Sequence, residues 1–443
     1  MCSFTVTNNS DVNLDSTNHF SQKRGPDFTS IKHINGISIL HNLLHITGEK
    51  TTQPFFNDDV ACVLNGEIYN FKDFGNYKSD GECLIPLYKE FGLDFAKKLD
   101  GEFAICIIDF KNSYLILAND TFACKPLWLG TNGHYWGVAS YESSLQACFR
   151  EGGIANIEKL PGNTAYKLDL NTLEEIDSIK LVKFNLNQHK NTYNDWIQAF
   201  ENSIKKRTKN TSQKIFLGLS AGYDSGAIMC ELLNQNIDFK AYTILSSEDK
   251  MIINSRYAKL NKGEIIELSN QEYHKISTEI KQKCENFVYN DRYKDYNIKH
   301  DKASVGLAAI CSRANDDGYK IYLSGQGADE IISDYGHNGI KIYNHSSFGG
   351  QFPEDLSKIF PWHSFYDGTQ VQYLNKEEYV AGAYGIETRY PFLDIKLVQE
   401  FLWLSAELKN LKYKSPIDEY LSVNNFPFQP GIKTGFQANK NLK

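Results

Sequence analysis

The chain has 443 residues, of which 41% are hydrophobic and 23% charged, and its formal net charge is -7. This composition is that of an ordinary globular protein, and the acidic balance offers no basic surface that would attract nucleic acid. No apolar stretch approaches the roughly 20 residues that a membrane span requires, so we expect neither a nucleic-acid nor a membrane partner. The absence of a secretory pattern, together with nine scattered cysteines, predicts a cytoplasmic protein with reduced thiols.

The first part of the chain carries short apolar segments of strand length. They lie at residues 36–45, 60–65, 102–110, 113–118, 135–140 and 164–168. Such segments predict a β-rich domain. One helical interruption is visible at 82–91, where Leu84, Leu87 and Tyr88 recur at i, i+3 and i+4. Because a polar stretch at 185–194 follows, we predict a first domain over residues 2–185.

The second part of the chain has a different order of predicted elements. Predicted strands at 214–220, 239–245, 264–268 and 320–324 alternate with helical segments near 224–234, 250–260 and 302–315. This alternation predicts a parallel sheet with crossover helices. We assign it to a second domain over residues 190–443.

A cysteine at position 2 becomes the first residue once Met1 is removed. Its thiol and its α-amine, whose reference pKa is about 8, then lie on one residue, so that the amine can act as base for the nucleophile. Asn65 and Gly66 follow the apolar segment at 60–64 and offer a side-chain amide and a backbone N–H, which are suitable oxyanion donors. Each feature also has a structural interpretation, because Cys2 can be a chance occurrence and Asn-Gly is a common hairpin turn.

Two loops of small residues follow predicted strands in the second domain. They read SAGYDSG at 220–226 and SGQGADE at 324–330. A strand, small-residue loop and helix in succession direct backbone N–H groups, hydroxyls and the helix dipole at an anion, which favours a phosphate ligand. The first loop lacks the lysine of the GxxxxGK[ST] motif. A tight strand-to-helix turn is the structural alternative.

Together these motifs resemble the asparagine synthetase-like glutamine amidotransferases, in which a class II glutaminase domain precedes an ATP-pyrophosphatase domain. The resemblance also includes RGPD at 24–27, SDGE at 79–82 and ETRYPFLD at 387–394. It covers most of the chain. It implies an α/β two-domain fold, with an N-terminal αββα Ntn-hydrolase-type glutaminase and a C-terminal α/β ATP-pyrophosphatase domain with a parallel sheet.

The resemblance also implies roles for individual residues. Cys2 is the expected nucleophile, with Asn65 and Gly66 as oxyanion donors, and Lys433 matches a lysine that supports the adenylated intermediate. A lone late lysine is otherwise usually a solvated surface residue. The remaining implied residues bind glutamine (Asp80, Glu67), bind ATP (Leu219, Ser220, Gly222, Asp224, Ser225, Ile244, Ser324, Gly325) or hold Mg²⁺ (Asp224, Asp329).

Two positions depart from the family pattern. Leu43 stands where the family has an arginine that holds the glutamine α-carboxylate. Without that arginine, the binding free energy of glutamine is expected to weaken by about 1.5 to 3 kcal/mol unless another cation substitutes. Gln326 stands where asparagine-forming members have a glutamate near the acyl centre, and an amide cannot act as a general base. Both departures, and a C-terminal domain shorter than is usual, place aspartate in doubt as the acceptor.

The expected reaction releases ammonia from glutamine at Cys2 and uses it to aminate a carboxylate that MgATP has adenylated. The acceptor is aspartate or another acid, such as a sugar uronate or a peptide or natural-product acid. Two further hypotheses are a ligase with a merely structural glutaminase domain and a nucleotide-binding regulatory protein without turnover. A homodimer is a possible assembly.

Overall fold

The computed structural model describes residues 2–149, 155–246, 248–289 and 297–432. Their main elements are two six-stranded sheets and one five-stranded sheet. The two six-stranded sheets come from the first 180 residues, and the five-stranded sheet comes from the second half of the chain. Among the described residues, no helix combines the length and apolarity needed to cross a membrane.

The described part of the first half contains twelve strands and four short α-helices. The strands are β1 Ser3–Thr7, β2 Phe28–Ile34, β3 Ile37–Leu43, β4 Phe55–Asn57, β5 Val60–Ile68, β6 Gly101–Asp109, β7 Tyr114–Asn119, β8 Trp128–Thr131, β9 Trp136–Ala139, β10 Asn156–Lys159, β11 Thr164–Asp169 and β12 Glu175–Lys180. The helices are α1 Leu14–Thr17, α2 Ser21–Arg24, α3 Leu84–Phe91 and α4 Glu142–Cys148, with 3₁₀ turns at Phe71–Asp73, Asp80–Cys83 and Gly92–Lys98.

These strands form two antiparallel sheets that pack face to face. Their orders are β10-β8-β9-β1-β3-β2 and β12-β11-β7-β6-β5-β4. Alternation along β5 explains the layers: Ala61 and Val63 contribute to the core between the sheets, whereas Cys62 and Leu64 join the core under α3 on the outer face. A strand with two apolar faces is buried on both. With α4 on the outside of the other sheet, the domain has four layers, helix, sheet, sheet and helix, as the sequence motifs predict.

The second half alternates strands and helices. The strands are β13 Lys214–Gly218, β14 Phe239–Ile244, β15 Gly263–Ile266, β16 Tyr319–Leu323, β17 Gly336–His337, β18 Ile340–Lys341 and β19 Glu387–Arg389. The helices are α5 Asn194–Thr208, α6 Tyr223–Asn234, α7 Lys250–Tyr257, α8 Asn270–Lys283, α9 Lys302–Asp316, α10 His363–Tyr366, α11 Thr369–Gly382, α12 Ile395–Trp403, α13 Ala406–Asn410 and α14 Ser415–Val423. A π-helical turn spans Asp329–Ser333, and 3₁₀ turns span Leu356–Lys358 and Pro391–Leu393.

The five-stranded sheet is parallel, with the order β15-β14-β13-β16-β19. Alternate residues of β13 enter different cores: Ile215 and Leu217 lie in one, and Phe216 lies in the other. Helices therefore cover both faces, which confirms the predicted α/β sheet. In such a sheet, ligands bind beyond the carboxyl ends of the strands. This edge is where the two predicted phosphate loops begin.

The predicted strands and the helix at 82–91 are confirmed to within a few residues. All nine cysteines are buried and free, as expected for small core residues in a reduced protein. One expectation is wrong, because Asn65 and Gly66 lie inside β5 and not after its end. Strand β5 continues beyond the apolar residues 60–64 because β6 also pairs with the next three residues, Asn65 to Glu67.

Candidate active sites

The first candidate site surrounds Cys2, immediately before β1. The Cys2 side chain is buried, and its carbonyl accepts a 2.8 Å hydrogen bond from Nε of Arg24. Burial raises the pKa of the thiol to about 11, against a lowering by the N-terminal positive charge. A thiol with this pKa is protonated at neutral pH and needs a base. His41 is not that base, because burial lowers the pKa of its imidazole to about 3.

Asn65 and Gly66 lie within β5. Arg24 Nη2 lies 3.5 Å from Asn65 Oδ1, whereas Asn65 Nδ2 is buried and has no hydrogen-bond partner among the described residues. A buried amide N–H that lacks a partner is available to a developing oxyanion. Gly66 adopts φ +142°, and a Cβ there would lie 2.0 Å from the Glu102 carbonyl oxygen, so glycine is required.

Glu67 and Asp80 form a pair of buried acids beside this strand. Asp80 Oδ2 accepts a 2.8 Å hydrogen bond from the Ile68 N–H, and Arg389 Nη2 lies 3.4 Å from Glu67 Oε2. Burial raises the pKa of Asp80 to about 6. Burial, with the charges of Glu387 and Asp80, also raises the pKa of Glu67. A cationic ligand would relieve this excess of negative charge, which suits the α-ammonium group of an amino acid.

Leu43 is the residue that stands where the family pattern has the arginine for the α-carboxylate. Its side chain is buried in β3. The guanidinium groups of Arg24 and Arg389 are both engaged by acidic partners from the second half of the chain, Glu378 and Glu387.

The second candidate site lies at the carboxyl edge of the parallel sheet. The first loop is held in shape by its own serines, because the Ser220 and Ser225 hydroxyls are 2.9 Å apart and Gly222 N–H donates to Ser220 Oγ at 3.1 Å. Leu219 precedes this loop, and Ile244 ends the neighbouring strand β14 as a buried residue. The structure thus gathers these predicted nucleotide residues at one edge.

The second loop meets the first. Ser324 and Gly325 follow β16, which neighbours β13 in the sheet. A Cβ on Gly325 would lie 2.9 Å from the Asp224 Cβ, so the absence of a side chain permits this close approach. Gln326 N–H donates to Ser324 Oγ at 3.0 Å. Both loops therefore bound one space.

Asp224 and Asp329, predicted to hold Mg²⁺, converge on one cation of the protein itself. Lys414 Nζ lies 2.6 Å from Asp224 Oδ1 and 2.7 Å from Asp329 Oδ1. Two carboxylates aimed at one point, completed by nucleotide phosphate oxygens, match the donors that Mg²⁺ takes beside ATP. Among the described residues, no group of three or more His, Cys, Asp or Glu could hold a metal. The pair alone is therefore an incomplete magnesium site, which the phosphate oxygens of a nucleotide would complete.

Three residues without a predicted role belong to these sites. Lys414 is buried in a left-handed conformation at the start of α14. Arg256 donates from Nη1 to the carbonyls of Ser220 and Gly222 and so braces the first loop. Arg24 belongs to the RGPD motif, which was the one available signal. Lys433 lies outside the described residues.

Comparisons with known proteins match each half of the chain. A family model described as a glutamine amidotransferase domain matches residues 1–159. A second model, described as asparagine synthase, matches residues 195–358. A protein of Methanocaldococcus jannaschii assigned as a glutamine-hydrolysing asparagine synthetase is 29% identical, over 93% of this chain and 76% of that protein.

Two further relatives are also glutamine-hydrolysing asparagine synthetases. The glutamine-hydrolysing asparagine synthetase of Gallus gallus is 27% identical, over 91% of this chain and 76% of that protein. A corresponding synthetase of Arabidopsis thaliana is 26% identical, over 88% of this chain and 66% of that protein. The chain thus matches a glutamine amidotransferase domain followed by an asparagine synthase domain, and it is an asparagine synthetase-like amidotransferase, as its motifs predict.

Proposed function

We propose that the protein is a glutamine-hydrolysing, ATP-dependent amide synthetase, with catalytic units over residues 2–185 and 190–443. The observation that carries this proposal is the meeting of two small-residue loops at the edge of the parallel sheet, in a chain that also holds Cys2 beside an available amide of Asn65. The first feature suits activation of a carboxylate by a nucleotide. The second suits cleavage of a carboxamide.

In the glutaminase reaction, Cys2 adds to the side-chain carbonyl of glutamine, while Asn65 Nδ2 and the Gly66 N–H donate to the oxyanion. Ammonia leaves, and water then hydrolyses the thioester to glutamate. The α-amine of Cys2, exposed once Met1 is removed, takes the thiol proton, since the pKa of about 11 keeps the thiol protonated at neutral pH. Glu67 and Asp80 hold the glutamine α-ammonium group.

In the synthetase reaction, a carboxylate oxygen attacks the α-phosphorus of ATP and pyrophosphate leaves. Ammonia then attacks the acyl carbon and AMP leaves, giving a carboxamide. The loops at Ser220 and Ser324 bind phosphate oxygens through backbone N–H groups and hydroxyls. Mg²⁺, held by Asp224 and Asp329, would neutralise phosphate charge. Lys433 remains a prediction for the adenylated intermediate, as do a cytoplasmic location and a homodimer.

The acceptor is aspartate or another carboxylic acid. The neutral Gln326 within the second loop favours an acceptor other than aspartate, because the family glutamate is absent there. Incubation with ATP, Mg²⁺ and glutamine, with and without aspartate, tests the proposal when glutamate, pyrophosphate and asparagine are measured together and Cys2→Ala serves as control.

Aspartate-dependent pyrophosphate and asparagine, with glutamate lost in Cys2→Ala, would identify aspartate as the acceptor. Cys2-dependent glutamate without asparagine would direct the search to other acids. Amide formation from ammonia with no glutamate in either protein would mean that the glutaminase domain is structural. ATP binding with no glutamate from glutamine, and with no pyrophosphate either with aspartate or with a panel of other carboxylic acids, would contradict the proposal and favour a regulatory protein.

A further inference from the structure

Helix α11, Thr369–Gly382, belongs to the second half of the chain but reaches into the glutaminase site. Its Glu378 side chain is fully buried and forms an ion pair with Arg24 through Oε2 and Nη2. Arg24 Nη1 also donates to the Glu378 carbonyl oxygen at 2.9 Å. The guanidinium is therefore fixed at two points by one residue that lies 354 positions away in sequence.

The same guanidinium contacts the two groups on which glutamine cleavage depends. Nε donates to the Cys2 carbonyl at 2.8 Å, and Nη2 lies 3.5 Å from Asn65 Oδ1. A contact on Oδ1 determines which way the Asn65 amide points, and therefore where Nδ2 is offered. Arg24 thus orients both the backbone that carries the nucleophile and an oxyanion donor.

Glu378 is itself held rigidly. Its Oε1 accepts a 2.9 Å hydrogen bond from Lys125 Nζ and a 2.8 Å hydrogen bond from the Tyr390 hydroxyl. Although burial raises the pKa of Glu378, Lys125 and Arg24 lower it further, so the carboxylate is charged at neutral pH. Lys125 also donates to the Thr388 carbonyl at 2.6 Å, which ties this network to β19 of the parallel sheet.

We propose that Glu378 is a positioning residue for glutamine hydrolysis, which acts through Arg24 to align Cys2 and Asn65. The inference rests on the proposed glutaminase activity and adds that its geometry is completed by the synthetase half of the chain. Glu378 does not touch glutamine. Its effect is on the turnover of bound glutamine, because Glu67 and Asp80, which bind the substrate, are not among its contacts.

The test compares Glu378→Gln with Tyr379→Phe in the full chain. Glu378→Gln preserves shape but removes the charge that fixes Arg24. Since a misplacement of about 1 Å at a reacting group can cost about a hundredfold in rate, we expect kcat for glutamine hydrolysis to fall about ten- to a hundredfold, with little change in KM. Amide formation from added ammonia should be retained.

Tyr379→Phe is the matched control, because Trp128 Nε1 donates to the Tyr379 hydroxyl at 3.1 Å across the same domain boundary without touching Arg24. It should leave hydrolysis within about twofold of the parent. The proposal is overturned if Glu378→Gln hydrolyses glutamine normally. It is equally overturned if Tyr379→Phe shows the same loss, or if ammonia-dependent synthesis falls in parallel with hydrolysis.

Two further measurements keep the outcome decisive. If melting curves show that Glu378→Gln does not fold, Glu378→Asp replaces it, because aspartate keeps the charge on a shorter side chain. Its kcat for glutamine hydrolysis should fall less than the ten- to hundredfold expected for Glu378→Gln. An unchanged kcat would count against the proposal. Should the parent protein produce no glutamate, the proposed glutaminase activity fails by itself. The rate of Cys2 alkylation by iodoacetamide then still reports on positioning, and an equal rate in Glu378→Gln and the parent refutes the role of Glu378.

Discussion

Replacing Lys414 by methionine tests whether the two predicted magnesium ligands form one cation site. The Lys414 side chain is 1% exposed, while the side chains of Asp224 and Asp329 are 21% and 14% exposed. Removing one partner of a buried ion pair costs about 3 to 5 kcal/mol. Because both carboxylates keep some solvent contact, we expect Lys414→Met to lose about 3 kcal/mol of unfolding free energy in buffer without divalent cations.

The same variant should respond to Mg²⁺ more strongly than the parent. Without the ammonium group, the two carboxylates face each other and can share a divalent ion. An ion present at about a hundred times its dissociation constant returns about 2.7 kcal/mol. Urea unfolding of both proteins, with and without Mg²⁺, measures the difference.

Lys412→Met is the control, because Lys412 Nζ lies 2.7 Å from Asp418 Oδ1 but its side chain is 47% exposed. The Asp418 side chain is only 3% exposed, but it keeps its hydrogen bond from the Tyr223 hydroxyl when the solvent-exposed ammonium group is lost. We therefore expect Lys412→Met to lose about 1 kcal/mol, less than Lys414→Met. The reasoning about a shared cation site would be refuted by a loss in Lys414→Met no larger than in the control. It would also be refuted by a destabilised Lys414→Met protein that Mg²⁺ does not affect.

Two other substitutions address the glutaminase and the pH dependence of stability. Asn65→Ala removes an oxyanion donor, so kcat for glutamine hydrolysis should fall about a hundred- to a thousandfold. Pyrophosphate release that depends on added ammonia should be unchanged. Equal losses in both assays would contradict the assignment of Asn65. Burial raises the pKa of Glu377 from 4.5 to about 7, against lowering by Ser324 and Lys376. A carboxyl whose pKa is raised in the folded state contributes stability below its unfolded pKa, and this stability is lost as the pH rises through the folded pKa. Relative to the parent, the unfolding free energy of Glu377→Gln should therefore rise by up to about 3 kcal/mol between about pH 5 and about pH 8. Urea unfolding measures this difference, and a difference that does not change with pH would contradict the prediction.

The parallel sheet could be predicted from the sequence more accurately than the antiparallel pair. Its strands are short apolar runs that end in glycine or serine loops, and β13 and β16 were located to within about two residues. Strands such as β12 were missed because Glu175–Lys180 is a charged, largely exposed edge whose composition is that of a loop. Such a strand exists only because β11 pairs with it.

The candidate sites show the same division. Loops that are continuous in sequence were found by their small residues, whereas Lys414 reaches Asp224 across 190 positions, and no local pattern indicates that contact. Asn65 is expected after the end of a strand, but it lies within β5. Its side chain contacts Arg24, which in turn pairs with Glu378 of a helix from the other half of the chain, and no local pattern indicates these contacts.

Two neighbouring glutamates show how α11 serves both sites. Glu378 forms an ion pair with Arg24 beside the glutaminase nucleophile. The neighbouring Glu377 is buried near the start of the second nucleotide loop, where Ser324 lowers the pKa of its carboxyl against the larger effect of burial. Successive residues on a helix point about 100° apart, so one turn of α11 presents one carboxylate to each site. Because the backbone joins them rigidly, a displacement of the helix large enough to break one of these contacts also moves the other. Helix α11 is therefore a single packed element that joins the surroundings of Cys2 to those of the second nucleotide loop.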